Sequence, residues 1–464
     1  MGLATVEALS SLVLRALPNF GAHHAVSLAV PIHAHKGVTV RTSRRTIAAI
    51  VAGAAAITLV ATGCATGGGQ AADPNEKITL TLATFNDFGY TDELLAQYTE
   101  SHPNVKIVQN KAATSNDARD NFFTKLGAGS GLADVEAIEV DWLAEMMQYS
   151  DKLTDLSGSE VDGRWVDWKS ASATDPDGRL VGYGTDIGPE AVCYRGDLLK
   201  AAGLPRDPDG VAALLDGGWD KYYSVGQQYV DATGKPWFDS AGATYQGVIN
   251  QVENAYEKND GTVIATENPE VEKAFTSVLE ASSTLSAHLG QWSDDWTAGL
   301  ANGSFATMLC PGWMLGVISG NAPDISDWNV ANVFPGGGGN WGGSYLTVPA
   351  QGKHTEAAKE FAAWLTAPEQ QLQAFTNAGT FPSQVATYTN PTLLDATNEY
   401  FNNAPVGQIL TDRSKAITVT PFKSVHYFPI NDALQKALTR VDVDKSQSIS
   451  DSWTQFVADV KALG

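Results

Sequence analysis

The stretch Lys77-Ile-Thr-Leu-Thr-Leu-Ala-Thr-Phe85 alternates larger apolar residues with small ones and decides the class of the fold. This alternation is typical of a β-strand, because successive side chains of a strand point to opposite faces. The segment Asp92–His102 follows, and it places Leu94, Leu95 and Tyr98 on one face of a helix. The two segments together predict a strand that leads into a helix.

The same alternation of strand and helix continues along the chain. We predict strands at 105–108 and 135–140, with a helix at 122–126 between them. Strands separated by helices favour a parallel sheet covered by helices, which is an α/β fold. Ligands of such sheets bind at the carboxyl ends of the strands. This edge is therefore the predicted binding site, and it holds Asn86, Asp87, Phe88, Asp141 and Trp142.

Length and charge restrict the class of protein. A chain of 464 residues predicts two or three domains. The residues that follow Gly63 include 25 basic and 51 acidic side chains, a net charge of −26, and contain no run of Lys or Arg. So acidic a protein is repelled by nucleic acid and by anionic lipid surfaces. We therefore expect no nucleic-acid partner.

The N-terminal region has the pattern of an export signal. A basic patch at Thr42–Arg45 precedes the uncharged run Ile47–Val60, and Ala61-Thr-Gly-Cys64 follows. Small residues directly before a cysteine resemble the bacterial lipoprotein signal, in which that cysteine is lipidated. The alternative is an ordinary secretory signal with an incidental cysteine. We predict an upstream extension and signal peptide at 1–63 and a flexible tether at 64–75.

The two other cysteines, Cys193 and Cys310, both lie in strand-like stretches. Outside the cell they can form a disulfide, and the alternative is a pair of buried free thiols. The sequence leaves both possibilities open, because it does not give the distance between the Cα atoms.

Four segments in this order resemble the extracellular sugar-binding proteins of ABC importers, the family that includes the maltose-binding protein. The resemblance covers nearly all of residues 76–464. The segments are Phe85-Asn-Asp-Phe-Gly89, the strand and short helix at Ala191–Leu204, Asn302–Trp313, and Gly342–Gln371. Arg195 departs from the Asn or Asp that the family usually has after the tyrosine.

The resemblance implies a two-lobed periplasmic-binding-protein-like fold, with discontinuous lobes joined by crossing strands. Lobe one comprises 76–188 plus 342–393, and lobe two comprises 189–341 plus 394–464. The family implies a sugar ligand in the cleft between the lobes, an ABC transporter permease as partner, and hinge closure. A monomer on the extracellular face of the membrane is expected, with no cofactor.

A sugar ring has apolar faces and a rim of hydroxyls, so a site for it needs flat aromatic side chains and planar polar groups. All 12 tryptophans follow Cys64, and Trp142, Trp313 and Trp341 are the predicted stacking residues. Trp364 lies within a predicted helix and is expected to pack in the core. The predicted polar residues are Asn86, Asp87, Asp141 and Asp186, with Glu253 and Tyr427 as further candidates.

The competing class is a secreted glycoside hydrolase, which also carries tryptophans and paired carboxylates. Asp294 and Asp295 lie beside Trp292 and Trp296, but neighbours in sequence do not establish two carboxylates across one bond. The chain lacks the motifs of serine hydrolases, zinc proteases and phosphate-binding loops. The histidines that follow Cys64 have no metal-ligand spacing, so no metal is expected.

Overall fold

The computed structural model of the protein describes residues 77–463. The predicted signal peptide at 1–63, the tether at 64–75 and the lipidation site Cys64 lie outside this range. Between residues 77 and 463, no helix is long and apolar enough to cross a membrane.

Strands alternate with helices in the N-terminal part of the described range, and both occur along most of the rest, which confirms the α/β class. The strands are β1 (Ile78–Phe85), β2 (Val105–Ala112), β3 (Val135–Glu139), β4 (Tyr183–Gly184), β5 (Asp186–Ile187), β6 (Glu190–Arg195), β7 (Thr307–Pro311), β8 (Trp328–Ala331), β9 (Ser344–Thr347) and β10 (Phe381–Pro382). The helices are α1 (Asp92–Ser101), α2 (Ser115–Ala128), α3 (Val140–Met147), α4 (Asp167–Ser172), α5 (Gly196–Ala201), α6 (Pro208–Leu215), α7 (Trp219–Thr233), α8 (Ala241–Ile249), α9 (Pro269–Leu285), α10 (Asp294–Asn302), α11 (Met314–Asn321), α12 (Thr355–Leu365), α13 (Pro368–Ala378), α14 (Pro391–Leu394), α15 (Val406–Lys415), α16 (Tyr427–Asp442) and α17 (Ile449–Ala462). Short 3-10 helices span Ser150–Lys152 and Val385–Thr389.

The larger sheet has five strands in the order β2-β1-β3-β9-β4. β1 pairs in parallel with β2 and with β3, whereas β9 pairs antiparallel with β3 and with β4. The sheet is therefore mixed, which corrects the prediction of a parallel sheet. The reason is that β9 follows the chain's return from the second sheet and enters this one in the opposite direction. Leu80 and Leu82 of β1 are fully buried beneath the helices.

Helix α1 shows why this layer forms. Thr91 caps its N-terminus, since the Oγ1 atom accepts a hydrogen bond from the Leu94 amide at 3.3 Å. Its buried residues are Leu94, Leu95 and Tyr98, the face that the sequence predicts. Helix α12 carries Trp364, which the sequence predicts in the core, but this side chain is only partly buried and packs at the edge of the core.

The smaller sheet has three antiparallel strands in the order β7-β6-β8, and every residue in them is buried. Cys193 on β6 and Cys310 on β7 form a disulfide, with Cα atoms 5.4 Å apart. The register pairs Cys193 with Met308 and Ala191 with Cys310, so the two cysteines are diagonal neighbours. The sequence leaves open whether these cysteines are free or paired, and the structure shows that they are paired.

The C-terminal helices complete the second lobe. Helices α16 and α17 share a core with α8 and α9, in which Tyr245, Phe275, Leu434 and Phe456 expose at most 1% of their surface. The strands of the larger sheet all fall in the ranges predicted for lobe one, and those of the smaller sheet in the ranges predicted for lobe two. We keep these names, while the boundaries themselves stay a prediction.

Two chain segments cross between the lobes side by side, at Gly188 and at Asn340–Trp341. The Trp341 amide donates to the Gly188 carbonyl at 2.8 Å, and the Gly188 amide donates to Asn340 Oδ1 at 2.9 Å. A Cβ atom on residue 188 would lie 1.7 Å from the Trp341 carbonyl oxygen, so only glycine fits there.

Candidate functional site

A cavity of about 490 Å³ opens between the lobes, beside the crossing segments. This volume lies within the range of small-molecule sites. Lobe one contributes the carboxyl end of β1, the start of α3 and the segment Gly342–Ser344. Lobe two contributes α8, the loop Gly290–Trp292, the start of α11 and one face of α16. The binding edge that the sequence predicts for the parallel strands is thus one wall of the cavity.

Seven of the ten predicted site residues line this cavity: Asn86, Asp87, Phe88, Asp141, Asp186, Trp313 and Trp341. The three that do not are Trp142, Glu253 and Tyr427.

The placement of those three corrects the predicted site. Trp142 is fully buried on the inner face of α3, where its indole donates to Ser115 Oγ at 3.0 Å. The sequence predicts a strand end here, but a helix begins at Val140, so Asp141 and Trp142 point in different directions. Tyr427 is buried within the helical core of lobe two, and the Glu253 side chain is exposed away from the cleft.

The wall from β1 is shaped by a turn. Asn86 has a φ of 46°, a left-handed conformation that Asn tolerates better than most residues. Its Oδ1 atom is buried and has no hydrogen-bond partner among the described residues. Asp87 Oδ1 accepts from the Gly89 amide at 2.9 Å and closes the turn. Phe88 packs on Phe85 with ring centroids 5.0 Å apart.

Tryptophans form a corner on the lobe-two side. Trp313 directly precedes α11, and its Nε1 donates to the Trp341 carbonyl at 2.9 Å. The two rings are nearly perpendicular, at 88°, with centroids 5.9 Å apart. Trp292, which the sequence analysis did not assign to the site, stacks on Trp313 and also lines the cavity. The only sequence signal for Trp292 is an aromatic residue in a polar turn.

The floor on the lobe-one side is a cluster of charged groups. Lys423 forms an ion pair with Asp141, and Glu139 Oε2 accepts from the Asp141 amide at 2.8 Å. Burial raises the pKa of Glu139, and the charge of Asp141 raises it further. Burial also raises the pKa of the Asp186 carboxyl, whose Oδ1 accepts from the Ser344 amide at 3.0 Å.

Lys169 lies beneath this floor and is fully buried. Its Nζ atom is 3.9 Å from the centroid of the Tyr345 ring and has no hydrogen-bond partner among the described residues. Burial lowers the pKa of Lys169 to about 7, although the Asp186 and Glu139 carboxylates oppose that shift. No sequence pattern points to Lys169, Glu139 or Lys423, because each is an isolated charge in a short or irregular segment.

The lining as a whole is acidic. Its ionisable side chains are Asp87, Glu139, Asp141, Asp186, Asp432 and Asp442, and no Lys, Arg or His is among the described residues that line the cavity. Carboxylates accept hydrogen bonds from hydroxyl groups, and they repel anions. The arrangement therefore suits a hydroxyl-rich ligand without negative charge.

Comparison with known sequences gives a consistent result. A family model described as bacterial extracellular solute-binding protein matches residues 93–398. The arabinooligosaccharide-binding protein of Bacillus subtilis (strain 168) is 26% identical to this chain over 333 residues, which cover 68% of this chain and 74% of that protein.

Comparison with solved structures agrees. The crystal structure of an extracellular solute-binding protein of family 1 is 45% identical, with a TM-score of 0.73, and the match covers 83% of this chain and 99% of that one. The ABC transporter associated binding protein of B. animalis subsp. lactis, in complex with β-1,6-galactobiose, is 21% identical with a TM-score of 0.71. That match covers 84% of this chain and 97% of the other, and at this identity it shows the fold alone.

A buried carboxyl beside the crossing segments makes the stability of the fold depend on pH. Glu190, the first residue of β6, is fully buried. Burial raises its pKa from 4.5 to about 8. Between these values the folded state holds one more proton than the unfolded state, so this group's contribution to stability falls as pH rises.

We expect Glu190→Gln to remove that pH dependence, because the amide is neutral at every pH. The difference in melting temperature, variant minus wild type, should increase between about pH 5 and pH 8 and stay constant above that range. Glu253→Gln, at an exposed carboxylate of the same lobe, is the control and should follow the wild type. A difference between Glu190→Gln and wild type that stays constant with pH would contradict the prediction.

Proposed function

The chain belongs to the bacterial extracellular solute-binding protein family, and from that premise we propose that it captures a di- or oligosaccharide in the interlobe cleft and delivers it to an ABC transporter permease. The observation that carries this proposal is that a tryptophan corner and a carboxylate floor line the same cavity. An aromatic ring fits the apolar face of a sugar, and carboxylates accept from the hydroxyls at its rim.

The relatives narrow the proposed ligand. One is named for arabinooligosaccharides, and a structural neighbour holds a disaccharide of galactose. The acidic lining favours a neutral sugar. The carboxylate of a uronic acid would be repelled by the carboxylates of the lining, and no cationic side chain among the described lining residues could pair with it. Which neutral sugar is bound depends on the hydroxyl pattern that the floor accepts.

The glycoside hydrolase alternative is not supported. The relatives are binding proteins rather than enzymes. Asp294 and Asp295, the carboxylate pair that the sequence offers, are both exposed in the first turn of α10 and do not line the cavity. An exposed pair at a helix start acts through the helix dipole rather than on a bound sugar.

We also propose that the protein is held at the extracellular face of the membrane by lipid on Cys64. Support comes from the sequence Ala61-Thr-Gly-Cys64 and from the family, whose members act outside the cell. The tether at 64–75 is rich in glycine and would let a monomer reach its permease.

Sugar binding is tested by a thermal-shift screen. We expect a neutral oligosaccharide of arabinose, galactose or glucose to raise the melting temperature, because a ligand that binds only the folded state stabilises it. A uronic-acid oligomer of the same length is the control and should give no shift. The bound sugar should be recovered intact after incubation. A screen without any neutral hit would refute the proposed ligand class, and newly formed reducing ends would favour the hydrolase.

The tryptophan corner is tested by Trp313→Ala. Loss of this platform is expected to weaken sugar binding by about 1–3 kcal/mol, which corresponds to roughly five- to 150-fold in affinity. The fold should change little, because Trp313 is only partly buried. Trp364→Ala is the matched control. It packs on Tyr98 and Phe361 and should lower stability, by less than the about 3–5 kcal/mol of a core aromatic, without changing affinity.

Calorimetric affinity and melting temperature on both variants decide this prediction. A Trp313→Ala protein with unchanged affinity and a large fall in melting temperature would place Trp313 in the core instead of the site.

The anchor is tested by Cys64→Ser. Serine has no thiol to accept lipid, so we expect the variant to be exported and released into the medium. The wild type should stay with the membrane fraction, and immunoblots of the two fractions provide the measurement. Retention of the variant on the membrane would refute the lipid anchor and leave the sugar-binding proposal untouched.

A further inference from the structure

Trp292 lies at the outer edge of the cleft and exposes 41% of its surface. The ring nevertheless lines the cavity. An exposed tryptophan gains little stability from burial, so its presence at this position needs another explanation.

The backbone of Trp292 strengthens this point. Its φ is 71°, a left-handed conformation that costs free energy for any residue except glycine and is rare for bulky ones. A bulky aromatic in such a conformation, at the edge of a cleft, suggests that the side chain itself has a role.

Two buried carboxylates hold the loop in place. Asp239 Oδ2 accepts from Gln291 Nε2 at 2.8 Å and from Trp296 Nε1 at 3.0 Å, on either side of Trp292. Asp442 binds the start of the same loop, through Ser286 Oγ at 3.1 Å and His288 Nδ1 at 2.7 Å. Asp239 and Asp442 expose no more than 2% of their surfaces. The loop is therefore a built structure that fixes the Trp292 ring before any ligand arrives.

The ring geometry shows what is fixed. The Trp292 and Trp313 rings are near parallel, at 21°, with centroids 6.1 Å apart, which is the arrangement of an offset stack. Trp292 also packs against Trp296, with ring centroids 5.5 Å apart and planes tilted by 47°, and Trp296 is buried. Trp292 thus rests on a rigid base and continues the aromatic surface of Trp313 outward.

We propose that Trp292 is a specificity-determining residue that forms an outer sugar subsite and selects ligands longer than the part enclosed by Trp313 and Trp341. This inference rests on the proposed function, because it assigns a further unit of the same ligand. A disaccharide fills the inner corner alone, whereas each longer chain places a ring on the outer platform.

The test is calorimetric titration with ladders of neutral oligosaccharides of arabinose, galactose and glucose, each from the disaccharide to the hexasaccharide. The wild type should bind the chains beyond the disaccharide more tightly than the disaccharide itself. Trp292→Ala should weaken binding of the longer chains by about five- to thirtyfold and leave the disaccharide unchanged. Trp292→Phe, which keeps an aromatic face, should retain most of the affinity for the longer chains.

Tyr149→Ala is the matched control, since Tyr149 is 42% exposed and does not line the cleft. It should leave the whole ladder unchanged. Trp292→Gly separates binding from backbone strain. Glycine relieves the left-handed conformation, so this variant should melt no lower than Trp292→Ala while losing the same affinity for long chains.

Three results would overturn the proposal. Equal losses at every chain length would place Trp292 in the inner site, and no loss at any length would remove it from the site. A wild type whose affinity does not rise beyond the disaccharide would exclude an outer subsite. If no ladder binds the wild type at all, the proposed function itself fails, and this inference fails with it.

Discussion

The hydrogen bonds among Gly188, Asn340 and Trp341 tie together the two segments that run between the lobes. Asn340 accepts from the Gly188 amide, donates to the Gly342 carbonyl at 3.0 Å, and fixes the path of the glycine-rich segment. The Trp341 carbonyl then accepts from the Trp313 indole. The aromatic corner is therefore attached directly to the crossing, and any movement of the lobes about this crossing also moves the surface against which a ligand stacks.

The floor opposite this corner depends on electrostatic interactions instead of aromatic packing. Burial raises the pKa of its Glu139 and Asp186 carboxyls, and the charges of Lys169 and Lys423 behind the lining oppose that shift at Glu139. The lining itself presents acceptors. A hydroxyl group can donate to these acceptors without bringing a charge into the cavity, so the balance of charge is preserved when a neutral ligand enters.

Local pattern predicted much of the fold and part of the site. The alternation in β1 and the helical spacing of α1 were sufficient for the class, and the strand-end rule located Asn86 and Asp87 at the cleft. The sequence does not reveal the start of α3, because the apolar strand β3 leads directly into the helix without a turn residue between them. In the helix Trp142 faces the core, whereas at a strand end it would have faced the cleft. Lys169 lies in a six-residue helix too short to show a periodic pattern. The pairing of Cys193 with Cys310 depends on a strand register that spans more than a hundred intervening residues and leaves no local trace.

The close approach at residue 188 has a consequence for how this architecture can diverge. A Cβ at that position would overlap the Trp341 carbonyl, so no other amino acid is tolerated without moving both crossing segments. The rim of the cleft carries no comparable restriction on the backbone, because side chains such as Trp292 are partly exposed to solvent. Substitutions that adapt such a protein to a different sugar are therefore expected at the rim of the cleft. A protein engineer who wants a sensor for a new sugar should likewise randomise the rim and leave the crossing unaltered.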